Sequence, residues 1–248
     1  MNTIRKTLFA LSLLVTLASF SVTAQEINRE LRSFRKIVVS PKINLILEKG
    51  DQETIRLVYN NVSPDKINIE VEGHTLKIYL DEAKVTEKTV RLNSGERRSV
   101  YHDASLTAYV TYEELEHLEI RGNQELTCNS PILAERFTLK AYGENDIHLS
   151  SVNTEYMRTS LYGGNDLHIE GGKAEFQKYK LFGDNKIDTQ QLKSYSATAN
   201  SFGESRIKLS TQDQLRVNAF GESQISYNGE ANVNKGLIFG HTRINKMN

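Results

Sequence analysis

Five residues of this chain have the types and spacing to hold a metal ion: Glu144, Asp146, His148, Asp166 and His168. Asp146 and His148 are two residues apart, as are Asp166 and His168, and the two pairs repeat after 20 residues. Alternate residues of a strand share a face. On adjacent strands, Asp146 would lie beside Asp166 at about one strand spacing, roughly 4.8 Å. Like charges opposed in this way repel. A cation would relieve them, carboxylates suiting Ca²⁺ and added imidazoles suiting Zn²⁺. The plain alternative is a solvated face with no cofactor.

A second set is aromatic: Tyr142, Tyr162, Phe182, Phe202, Phe220 and Phe239. Stacked on an outer face, these rings could meet sugar rings or a partner strand. Filling a corner of the core is the favoured reading, because four of the six are Phe and lack a hydroxyl for wet recognition. Catalysis has little to work with. There is no Gly-x-Ser-x-Gly elbow, no His-Glu-x-x-His helix and no phosphate-binding glycine loop. No catalytic residues and no enzyme activity are expected.

The elements that must position these residues are strands. Ile43, Leu45 and Leu47 alternate with polar residues, as do Ile55, Leu57 and Tyr59, and Leu76, Ile78 and Leu80. Such period-two runs, bounded by Gly, Asn and Asp, are half-buried β-strands. From Leu118 the pattern becomes a repeat marked by Gly122, Gly143, Gly163, Gly183, Gly203, Gly221 and Gly240. These glycines are 21, 20, 20, 20, 18 and 19 residues apart, and each has Leu or Ile four residues later. An aromatic residue precedes six of the seven. The period is too short for a propeller blade and lacks the leucines of a leucine-rich repeat. It fits a right-handed β-helix, an all-β solenoid with about 20 residues per coil. The glycine column then marks a corner that excludes a side chain or needs positive φ. Asn145, Asn165 and Asn185, continued by Ser205, Ser223 and Thr242, form a polar ladder at the turn.

The first residues read as a secretory signal. Arg5 and Lys6 precede an apolar run from Leu8 to Phe20, and Val22 and Ala24 fit a cleavage site. That run is too short to span a bilayer. The expected organisation is a signal peptide at 1–24 and one solenoid domain at 25–248. Residues 34–112 form its less regular β part, and 113–248 form about seven regular repeats. The 31 Lys+Arg balance the 31 Asp+Glu. Removing Arg5 and Lys6 leaves the mature chain about two units negative. This balance argues against nucleic acid and against attraction to an anionic membrane. The single Cys128 excludes a disulfide framework and reads as a small buried side chain.

The run Phe34-Arg35-Lys36-Ile37-Val38-Val39-Ser40-Pro41-Lys42-Ile43-Asn44-Leu45-Ile46-Leu47-Glu48-Lys49-Gly50-Asp51 resembles the opening of the head GIN domain family, described as putative auto-transporter adhesins. Gly73-His74-Thr75-Leu76-Lys77-Ile78 and the Gly-x-(Asn/Ser)-x-Ile repeats are similar to its later motifs. The chain departs at the turns, where an aromatic precedes the glycine. The resemblance implies an exported bacterial β-helix and brings no catalytic residues. The expected function is a non-catalytic, adhesin-like binding module in the periplasm, on the cell surface or secreted. Its partner would be an envelope protein or a surface glycan, with self-association through a solenoid end. A structural or sensory envelope protein and a carbohydrate-active enzyme are the alternatives.

Overall fold

Alternation in the sequence becomes strand throughout the computed structural model, which describes residues 25–247. The signal-peptide expectation at 1–24 lies outside the described residues. Among the described residues one 3-10 turn, Pro64–Lys66, interrupts the strands, and no helix is long and apolar enough to cross a membrane.

From His117 onward the chain winds as a solenoid. Successive coils are 117–122 with 125–128, 132–143 with 146–149, and 152–163 with 166–169. Continuous strands at 172–189, 193–210, 214–228 and 232–246 follow. Each coil pairs in parallel with the next. The register is that of the glycines: Gly122 lies beside Gly143, Gly143 beside Gly163, and Gly203 beside Gly221. The expected all-β solenoid with about 20 residues per coil is the architecture found.

The glycine column is required twice over. Gly143 and Gly163 have φ of 109° and 111°. A Cβ on Gly143 would lie 1.9 Å from the Gly122 carbonyl oxygen, and one on Gly163 would lie 2.1 Å from that of Gly143. The corner therefore needs both a left-handed backbone and close approach between coils. Four residues on, Leu126, Ile147, Leu167, Ile187, Ile207 and Ile225 are buried in one continuous core. Cys128 is buried there too, its sulfur 3.5 Å from the Tyr112 hydroxyl, and burial pushes the thiol pKa up.

The first part of the chain uses the same plan out of chain order. Strand 36–39 pairs in parallel with both 75–80 and 117–122, and strand 43–49 with both 105–112 and 125–128. The coil that comes first in sequence therefore sits second in space. The outer coil, 75–80 with 105–112, carries an excursion containing the hairpin 89–91 and 97–99. Its open edge is covered by antiparallel strands: 67–72 on 75–80, 54–60 on 105–112, and 25–30 on 54–60. Covering the edge protects the end of a parallel stack from pairing with other chains.

Candidate functional site

The six rings form one continuous stack along the solenoid. Neighbouring centroids are 4.8 to 5.1 Å apart and the rings lie within 3° to 19° of parallel. That separation is the strand spacing, so the coils impose it. The stack faces out, which corrects the expectation of a filled core corner. Tyr142 and Phe182 are 36% exposed, Phe202 38% and Phe239 59%. The reason is local. Ala141, Leu161, Leu181, Ser201 and Ala219 immediately precede the rings and are buried. Strand alternation then sends the next residue outward. What the stack offers to solvent is ring edges, because each inner ring covers the faces of its neighbours.

The inward position three residues later is polar, and it is satisfied by the fold itself. The Asn145 side-chain amide donates to Asn165 Oδ1 at 2.8 Å, and Asn165 donates to Asn185 Oδ1 at 3.1 Å. The backbone N–H groups of Asn145 and Asn165 reach the same acceptors at 3.2 and 3.3 Å. Asn145 also donates to the Tyr142 carbonyl, and Asn185 to that of Phe182, both at 3.2 Å. The amides thus fasten the corner that carries the rings. Ser205 and Ser223 continue the ladder through Ser201.

The five candidate metal-binding residues lie on the neighbouring side, past the glycine corner. Strand register places Asp146 beside Asp166 and His148 beside His168, as the spacing predicts. Both aspartates already meet a base. His148 Nε2 is 3.0 Å from Asp146, and Lys186 from the next coil is 3.7 Å from Asp166. The two imidazole rings are 5.8 Å apart. Among the described residues no group of three or more His, Cys, Asp or Glu is placed to hold a metal ion. The depressions over Asp184, Glu204, Arg206 and Glu222, and over Glu125, Glu144 and Asp146, are open and polar. Neither is an enclosed substrate cavity.

One cluster was not anticipated from sequence. Glu119 is buried on the outer side of strand 117–122, and Arg121 grips it at 2.6 and 2.8 Å. His117 lies 3.6 Å away and Lys140 4.0 Å. His117 and Arg121, helped by Lys140, hold the carboxyl pKa down at about 2 against the desolvation that raises it. Arg121 also occupies the ladder position one coil before Tyr142, so a cation stands where the ring stack begins.

Solved structures share this architecture. No curated protein matches the chain. Among solved structures, a putative adhesin from Bacteroides fragilis NCTC 9343 superposes with a TM-score of 0.72 at 16% identity, covering 92% of this chain and 98% of that one. Putative adhesins from Parabacteroides merdae ATCC 43184 and Parabacteroides distasonis ATCC 8503 both superpose with TM-scores of 0.63. The first is 16% identical and covers 92% of this chain and 98% of its own; the second is 18% identical and covers 91% and 97%. At such identities the likeness is one of fold. The family described as "Putative auto-transporter adhesin, head GIN domain" matches residues 33–231. With most of its length matched, the chain belongs to the head GIN domain family.

Proposed function

We propose that the protein is an exported, non-catalytic binding module of the bacterial cell envelope, adhesin-like in that it works by surface contact. One observation carries this reading: six aromatic rings are held half-exposed along one line of a rigid solenoid. Exposed apolar surface of this extent marks a contact site more often than idle surface. The Asn ladder and the glycine corner fix the line in place, so little ordering would be lost on binding. The open, polar depressions support contact over catalysis.

The test is retention of the purified protein on isolated envelope material and on an array of surface glycans. Phe182→Ser with Phe202→Ser should reduce retention at least tenfold while the melting curve stays cooperative. Retention that ignores the ladder would refute the reading. Release of reducing sugar from any envelope polysaccharide would also refute it, in favour of a carbohydrate-active enzyme.

A further inference from the structure

We propose that the sheet face bearing the aromatic ladder docks on an anionic lipid surface. This rests on the contact reading above and names the chemistry of the partner.

The argument starts from the two outward columns ahead of the rings. Strand register stacks Thr138, Arg158, Lys178, Thr198 and Arg216 in one, and Lys140, Ser160, Lys180, Asn200 and Asn218 in the other. Five of these ten residues are cations and none is an acid. Arg158, Lys178, Lys180 and Arg216 are exposed. None of these four has a carboxylate within 4.0 Å among the described residues; only Lys140 reaches one, Glu119. The neutral composition conceals this asymmetry. The side past the glycine corner is mixed, with Glu144, Asp184, Glu204 and Glu222 standing among Lys186, Arg206 and Lys208. Unpaired positive charge is therefore gathered on one face, and overall neutrality does not argue against an anionic surface after all.

Rings border the cations on both sides. The six-ring ladder forms one margin. Tyr156 and Phe176 form the other, with centroids 5.0 Å apart and Arg136 4.7 Å above the Tyr156 ring. Four strand spacings and six residues of strand make the patch roughly 20 Å on each side. It is a flat sheet face, so a broad flat partner fits it better than a single chain lying in a groove.

Ring orientation separates a bilayer from a glycan. Sugar recognition by stacking needs an open ring face, and the stack leaves only edges along most of its length. Edges of Tyr and Phe suit the headgroup boundary, where aromatic residues collect. Lys and Arg beside them meet lipid phosphates. Acids at the strand corners, Glu155 and Glu175 on one side and Glu144 and Asp184 on the other, limit contact to the central patch.

The experiment is flotation with vesicles of phosphatidylcholine alone and of phosphatidylcholine mixed with phosphatidylglycerol. The full chain is produced with its own first 24 residues and purified as the cell processes it. Variants are prepared identically, so any contribution from that segment is common to all. Wild-type protein should float with the anionic vesicles only, and less so as salt rises. Arg158→Gln, Lys178→Gln and Lys180→Gln together should weaken binding by roughly a hundredfold, at about a fivefold loss for each charge. A control, Lys186→Gln, Arg206→Gln and Lys208→Gln, makes the same charge change on the other side and should bind like wild type. Equal flotation with both lipids, or equal loss in both triple variants, would overturn the proposal. So would retention on dextran sulfate without flotation, which would assign the face to an acidic polymer. If flotation fails while ladder-dependent retention on envelope material persists, the lipid assignment falls and the contact reading stands.

Discussion

Two adjacent glycines allow the corner geometry to be tested within one coil. Gly163 has φ of 111°, and an added Cβ would meet the Gly143 carbonyl oxygen at 2.1 Å. Its neighbour Gly164 has an ordinary φ, and its nearest prospective contact is the Glu144 side chain at 3.6 Å. Alanine at 163 therefore carries two costs. A side chain in that backbone region costs on the order of 1–3 kcal/mol. The overlap with a carbonyl oxygen forces neighbouring coils apart and adds roughly another 1–3 kcal/mol, as overpacking does in cores. A total of about 4 kcal/mol corresponds to a melting temperature lower by about 8–16 °C in a domain of this size. Alanine at 164 meets no obstacle and narrows the unfolded ensemble, so it should be neutral or stabilising by up to about 1 kcal/mol. The assay is thermal unfolding followed by circular dichroism for both variants. Equal melting temperatures would refute the reasoning, because they would mean that the glycine column reflects neither backbone angle nor coil spacing.

Two further outcomes follow from the polar ladders. Asn165→Ala removes the acceptor used by both the side-chain amide and the backbone N–H of Asn145. With those donors left buried, unfolding should become easier by about 2–3 kcal/mol, read by urea denaturation. Glu119 tests the pH dependence. Its folded pKa lies below the unfolded value, so its contribution is complete above about 4.5 and is lost as pH falls toward about 2. Glu119→Gln should cost on the order of 2 kcal/mol at neutral pH, and the gap to wild type should close between pH 4.5 and 2 in melting experiments.

The solenoid was legible because its constraints recur. Every coil needs a residue without a side chain at the corner and an aliphatic residue four positions on, so Gly143 and Ile147 return as Gly163 and Leu167. What happens once per molecule leaves no such trace. Strands 36–39, 75–80 and 117–122 alternate alike, and nothing in their sequences orders them in space. The exchange of the first two coils is decided by tertiary pairing. The outward orientation of the rings is also written in the sequence. Leu161 and Leu181 are plainly inward residues, and strand alternation puts Tyr162 and Phe182 opposite them. The repulsion expected between Asp146 and Asp166 is relieved from one coil further on, where Lys186 stands beside Asp166. The cationic face was less legible. Its residues lie two and four positions before the rings, outside the columns that follow the glycine.

The ladder's exposure does not separate its structural role from its binding role. Five stacked pairs, each worth about 0.5–1.5 kcal/mol beyond area burial, make the rings a stabilising element even where solvent reaches them. A ring in the middle, such as Phe202, has two stacking partners, whereas Phe239 has one. Stability alone would favour burying them. The fold instead places small or aliphatic residues inward at the preceding position, with Ala141, Ser201 and Ala219 among them, and leaves the larger aromatic surface outside. The core at this corner is narrow, since the glycine brings backbone to backbone immediately after the ring. A ring turned inward would meet the Asn ladder and displace its hydrogen bonds. The geometry that makes the corner tight is therefore what forces the aromatic line onto the surface, beside an uncompensated row of cations. The exposed aromatic line follows from the way the coils close.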